Sequence, residues 1–133
     1  MRMWVISALL FFPTPQAAQT VDVAFERLTK IGTFAFGGVG FAGATSPGER
    51  DYKTILSRPS AMADFERLYS SGNMTAKCYA LVAMRRLSPR RFRELAQPLR
   101  NSKEDVPTIH GCIMSREPLR LILNQIEAGS YSH

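Results

Sequence analysis

Along most of this chain the apolar residues recur at helical spacing. Val21, Ala24, Phe25, Leu28 and Ile31 share one face, with Thr20 placed to cap the helix and Gly32 to stop it. Ser46-Pro47-Gly48-Glu49 is a capping-box arrangement that opens a short helix reaching Leu56 or Ser57, with Tyr52, Ile55 and Leu56 inward. Ser60 is placed to cap the next helix, which carries Met62, Phe65, Leu68 and Tyr69 on its apolar stripe. A Gly72-Asn73 turn leads into a helix of a different kind. Its centre, residues 78–84, has no polar side chain apart from the Tyr79 hydroxyl, and a helix apolar on every side is a buried one. The short turn predicts that these two helices form a helical hairpin. Ser88-Pro89 begins a third helix with Phe92, Leu95 and Ala96 inward and Pro98 near its end. Residues 101–115 read as a crossing segment with a few extended residues around 106–109. Pro118 then opens a last helix with Leu119, Ile122, Leu123 and Ile126 on one stripe, Gly129 as its stop and a frayed tail behind.

Residues 32–48 break the helical pattern. They hold six of the nine glycines and three of the eight phenylalanines. Gly38-Val-Gly-Phe-Ala-Gly43 matches the dinucleotide fingerprint G-x-G-x-x-G in letters only. The fingerprint needs a strand before it, a helix opening within it and a second parallel strand, whereas Ser46-Pro47-Gly48 interrupts the chain just behind. Two readings remain. One is a short hairpin turning at Gly37-Gly38. The preferred one is a long connection in which Phe34, Phe36 and Phe41 plug the core. Under either, a glycine-rich loop of this length is a candidate binding element, with Gly37, Gly38, Gly40 and Phe41 at its centre. The expected fold is therefore all-α: a compact bundle of five to six short helices, HEAT-like at most, with a glycine-rich loop or small hairpin inserted. The HEAT comparison rests on an echo at an offset of forty residues, Ala24-Phe-Glu-Arg-Leu28 then Gly32 against Asp64-Phe-Glu-Arg-Leu68 then Gly72.

Length and composition add a compartment. The 133 residues make one domain, 45% apolar and 21% charged. Met1-Arg2, the apolar run at 3–12 and the small-residue region at 13–19 have the layout of a secretory signal peptide, too short to span a bilayer. The expectation is a signal peptide over 1–18, a single helical domain over 19–133, no membrane span in the mature chain, and a secreted or periplasmic location. In an oxidising compartment the two cysteines predict a Cys78–Cys112 disulfide, worth about 4 kcal/mol at most for a loop of this size. Without export the pair reads as two buried free thiols.

Charge adds a surface. Removing the leader leaves 16 basic against 11 acidic side chains, and the whole excess lies in one window. There, Arg85, Arg86, Arg90, Arg91, Arg93 and Arg100 face a single acid, Glu94. The first five are candidates for binding an anionic partner, either an acidic protein or an anionic surface. Nucleic acid is disfavoured, because only Phe92 is interleaved as a stacking aromatic. No metal or cofactor is expected: His110 and Cys112 are neighbours, and only His133 could add imidazole. Asn73-Met-Thr75 fits a glycosylation sequon. For catalysis His110 is the one imidazole base with a plausible setting, and there is no Gly-x-Ser-x-Gly elbow. The reading is a non-catalytic, exported binding protein of the inhibitor or adaptor kind. Its rivals are a small hydrolase-like enzyme using His110 and electrostatic attachment to an anionic envelope surface.

Overall fold

The computed structural model describes residues 16–131, and their side chains from Val23 onward. Through residue 15 the expected signal peptide lies outside the described residues. The elements run α1 (Gln16–Thr29), β1 (Gly38–Val39), β2 (Ala44–Thr45), α2 (Pro47–Leu56), α3 (Ala61–Ser71), α4 (Met74–Leu87), α5 (Pro89–Ala96), a 3-10 turn (Gln97–Leu99), β3 (Asp105–His110), β4 (Ile113–Pro118) and α6 (Leu119–Glu127). Helix α4 is the hub. Residues 78–84 are all buried, because α3, α5, α6 and β3 each pack against part of its circumference. Helix α1 packs on α2 and α3, and on α6 the stripe Leu119, Ile122, Leu123 and Ile126 is buried. No helix among the described residues is long and apolar enough to cross a membrane.

The all-α expectation is overturned: two antiparallel two-stranded sheets stand beside the six helices. The larger one occupies the crossing segment. Its register runs from Asp105↔Pro118 to His110↔Ile113, closed by Gly111-Cys112. Gly111 has φ +59° and no non-glycine among the described residues, Cys112 included, has positive φ, which is the pattern of a type II′ hairpin turn. Only Val106 and Thr108 of this hairpin are buried, so its alternation is too short and too polar to announce strands. The HEAT-like reading falls with it. Helix α1 is followed by the glycine hairpin rather than by a partner helix, while α3 leads directly into α4. The echo helices do meet, with the Arg67 guanidinium 4.5 Å from the centre of the Phe25 ring.

The glycine-rich segment is held by polar groups of the core. Tyr79, fully buried on α4, accepts a bond from the Ala35 N–H (3.0 Å), and its own proton reaches the carbonyl of Ala35 (3.1 Å) or Thr33 (3.3 Å). The Ser46 hydroxyl donates to the Ala35 carbonyl (2.8 Å) and accepts the Glu49 N–H (3.1 Å), capping α2. Glu49 does not complete the capping box. Its carboxylate accepts the Gly37 N–H (3.1 Å) and pairs with Lys53 (3.1 Å). Around these bonds Phe34, Phe36, Tyr52, Phe65, Tyr79 and Tyr131 form a continuous aromatic cluster with neighbouring ring centres 5.0–5.4 Å apart along Tyr131–Phe34–Tyr79–Phe36–Tyr52–Phe65. Burial pushes the Tyr79 and Tyr52 hydroxyls up to about 12, so both stay protonated.

Two further ties set helix positions. Asn73 caps α4 by accepting the Ala76 N–H (2.8 Å), donates its side-chain amide to the Ile31 carbonyl (2.8 Å), and gives its backbone N–H to Thr29 (3.1 Å). It thus fastens the end of α1 to the start of α4, and the amide nitrogen that a sequon would offer to a glycan is already bonded. Ser60, expected to cap α3, makes no cap bond; its hydroxyl donates to Asp64 (2.8 Å).

Gly48 shows how tight the Tyr79 contact is. A β-carbon there would lie 2.3 Å from the Tyr79 oxygen and 2.7 Å from its ring. Gly48→Ala is expected to cost about 1–3 kcal/mol of unfolding free energy by overpacking. Gly32→Ala, with nothing within 4 Å of the added carbon, should change it by less than about 1 kcal/mol. Denaturant unfolding of both variants checks this; equal stabilities would contradict the packing described.

Candidate functional site

Two hairpin tips meet at one end of the molecule. In the first, Gly38↔Thr45 and Val39↔Ala44 pair, and the chain reverses over residues 40–43. Gly40 (φ +71°) and Gly43 (φ +63°) supply the left-handed corners, and the Gly43 N–H bonds the Gly40 carbonyl (3.2 Å). A β-carbon on Gly38 would press to 3.0 Å on the Gly43 backbone, so a larger residue there would have to push the two sides of this narrow ribbon apart by a few tenths of an ångström. The turn is therefore not at Gly37-Gly38. That shift decides the fate of the phenylalanines: Phe34 is buried, Phe36 half-buried, and Phe41, expected to plug the core, is fully exposed on the turn.

The second tip is Gly111-Cys112. The Gly40 N–H donates to the Gly111 carbonyl (2.9 Å), and Val39 bridges Gly111. Further back, the Phe34 N–H bonds the Pro107 carbonyl (2.8 Å) and the Ile109 N–H bonds the Phe34 carbonyl (3.3 Å). The two loops thus form one supported projection. Just past the second tip, Ile113 is 69% and Met114 76% exposed. Phe41, Ile113 and Met114 are three of the large apolar side chains that the described residues leave to solvent, and the backbone of the two tips that carry them is hydrogen-bonded rather than loose. Gly37, Gly38, Gly40 and Phe41 all lie in or beside this projection. Ile113 and Met114 were not singled out from the sequence. Their signal was an apolar pair directly behind a glycine turn and outside every helical stripe.

Behind the tip the hairpin carries a polar face. Thr108 and Ser115 share a hydroxyl bond (3.1 Å), and His110 Nε2 meets a Glu117 carboxylate oxygen at 2.8 Å. Burial acts to raise the Glu117 pKa, but bonds from His110 and Thr108 outweigh it and hold the carboxyl below its ordinary range. The two hydroxyls bond each other, and no hydroxyl or thiol among the described residues is bonded to the imidazole. The cavities lie elsewhere. One of about 460 Å³ is lined by Arg27, Pro47, Arg50, Asp51 and Thr54; one of about 510 Å³ by Phe25, Glu66, Arg67, Ser70 and Ser71. A third, of about 290 Å³, is lined by Arg100, Asn101, Ser102, Lys103, Pro118 and Arg120. Among the described residues there is no cluster of His, Cys, Asp and Glu that could hold a metal ion.

The arginine corner is brought together but largely spent within the protein. Arg91 bridges Glu66 and Glu94, which raises its own pKa and lowers that of Glu94. Arg90 pairs with Glu94 (3.1 Å), and Arg85 donates to the Glu127 carbonyl (3.2 Å). Arg86 and Arg93 remain exposed without an ion pair among the described residues. Glu66 lies on α3, 25 residues away, and could not be counted against the cluster from the local window.

The expected disulfide is also overturned: Cys78 and Cys112 are both free thiols. Cys78 faces the core from the hub helix, whereas Cys112 sits at the hairpin turn in solvent. Burial pushes the Cys78 thiol up to about 12.

Two measurements follow from these settings. At about pH 8 a disulfide-exchange reagent should titrate one thiol rapidly in the native protein and the second only on unfolding, and Cys112→Ser should remove the fast phase. Two fast thiols, or none, would contradict the placement. Because the Glu117 carboxyl is held below its ordinary range when folded, its stabilisation is present above the unfolded value and disappears as pH falls through the folded one. Glu117→Gln should therefore cost about 1 kcal/mol or less near neutrality, and the cost should shrink as falling pH protonates the carboxyl, as read by unfolding curves from neutral to acid pH.

Compared with protein-family models, curated proteins and solved structures, the chain matches none.

Proposed function

We propose that this is an exported, non-catalytic binding protein of the inhibitor or adaptor kind, which engages another protein through the paired hairpin tips. One observation carries the reading: Phe41, Ile113 and Met114 are exposed on two tips bonded to each other through Gly40 and Gly111. Burying a side chain such as Phe or Ile in an interface is worth about 1.5–3 kcal/mol, while leaving it in water serves no folding purpose. The tips are also ordered in advance. Tyr79, Ser46 and Glu49 hold the glycine hairpin from behind, which lowers the entropy lost on docking. The arginine corner supports binding less, because Arg90 and Arg91 already have carboxylate partners. Export is supported by the composition of residues 1–18. The hydrolase-like alternative at His110 lacks a nucleophile paired with the imidazole.

Photo-cross-linking in intact producing cells tests this. A benzophenone amino acid placed at Phe41 or at Met114 should give the same protein adduct, recovered from the periplasmic or extracellular fraction. The same probe at Glu26 or Gln97, exposed elsewhere, should not. Identical adducts from all four positions, or none from the tips, would overturn the reading.

A further inference from the structure

The second hairpin ends in an unpaired strand edge. A two-residue turn makes His110↔Ile113 a hydrogen-bonded pair, so Thr108↔Ser115 and Val106↔Glu117 are bonded pairs too, and Ile109↔Met114 and Pro107↔Arg116 are not. The other side of β3 confirms the alternation, since Pro107 and Ile109 turn outward there and bond Phe34. By the same geometry Met114 and Arg116 point their backbone N–H and C=O groups away from β3. None of these groups has a hydrogen-bond partner among the described residues, and both side chains are exposed. Pro118, with no N–H, ends the edge.

The charge beside this edge is specific. Arg116 stands on it, and Pro118 leads into the cavity of about 290 Å³ whose cations are Arg100, Lys103 and Arg120. Arg100 is paired with Glu127 (3.0 Å), whereas Lys103, Arg116 and Arg120 have no ion pair among the described residues. The acids nearby are Glu104 and Asp105, which precede and begin β3, and Glu117, which is engaged by His110 on the hairpin's other face. A second copy of this chain laid along the edge would bring Arg116, Arg120 and Lys103 of both copies to one seam, which like-charge repulsion disfavours.

We infer that β4 is a docking edge for an extended, acidic segment of the partner protein, which adds to the hairpin as a third strand. The inference rests on the tips being the partner-binding surface and adds how the partner is held. The incoming backbone pairs with the open groups of Met114 and Arg116. An apolar side chain lies opposite Met114 and next to Ile109, and an acidic one two positions along lies opposite Arg116. Continuing past Pro118, further carboxylates meet Lys103 and Arg120.

The test uses the full chain and a defined probe, the blocked seven-residue peptide Ser-Glu-Ser-Val-Ser-Glu-Ser, whose Val and Glu side chains share one strand face two positions apart. Nuclear magnetic resonance titration should show binding, with the Met114 and Arg116 amides newly protected from hydrogen exchange. The Lys-for-Glu peptide should bind about tenfold or more weakly, as should the Glu/Val peptide N-methylated at alternate residues, which keeps the charge but cannot form the ladder. Arg116→Glu, at an exposed position, should reverse the preference between the acidic and basic peptides. Equal binding by the N-methylated peptide, or binding without protection at Met114 and Arg116, overturns the docking edge. So does concentration-dependent protection of those amides in the protein by itself, which would make the occupant a second copy. Peptide protection without a cross-link from Phe41 instead overturns the tip reading, and a Phe41 adduct without edge protection overturns the edge.

Discussion

The Tyr79 hydroxyl is the point on which the rest of this structure depends. It sits on the most buried helix and is the one polar side-chain group in residues 78–84 with backbone to satisfy. Residues 33–37 run through the core without forming a helix, so their N–H and C=O groups need partners from elsewhere. Tyr79 and Ser46 serve Ala35, Glu49 serves Gly37, and β3 serves Phe34. With the Tyr79 ring filling the space that a Gly48 side chain would need, helix α2 can approach α4 closely enough for these bonds to form together. The same bonds that make the segment tolerable in the core also aim its glycine hairpin outward.

This division of labour explains why the tips can carry apolar side chains in water. A flexible loop with Phe41 at its apex would fold back onto any available apolar surface. Here Gly37, Gly40 and Gly43 each adopt positive φ, and Gly40 is bonded across to Gly111, so the ribbon is committed to a path that leads away from the core. The second hairpin is supported on one edge by Phe34 and Gly40 and left open on the other. The exposed side chains and the open edge occupy the same projection, and nothing else among the described residues covers them.

The helices were legible because each carries its own signal. Pro47, Asn73 and Pro89 mark starts, and the stripes on α1, α3, α5 and α6 are long enough for a 3.6-residue period to show. Of the β3–β4 hairpin, only the extended residues around 106–109 in β3 are legible in the sequence, and the pairing with β4 is not. Pro107, Thr108, His110, Ser115 and Arg116 interrupt its apolar pattern, and what makes it a hairpin is the backing by Phe34, more than 70 residues earlier. The cysteines failed for a related reason. Pairing was inferred from count and compartment, but the two side chains are assigned to opposite environments, core and turn, by elements that the count does not see.

By itself the sequence determined that residues 74–87 form a buried helix, that five amphipathic helices accompany it, and that residues 32–48 are a glycine-dependent exception to the helical pattern. Those are consequences of local chemistry: periodicity, capping and the conformational freedom of glycine. Only the tertiary structure decided where the glycine ribbon turns, and hence that Phe34 is buried and Phe41 exposed. It also decided that Glu66 neutralises Arg91, and that Gly40 and Gly111 join two distant tips into one surface. The last two depend on a hydrogen bond or ion pair between residues at least 25 positions apart, and the strength of such a bond is set by burial and geometry that no local window contains.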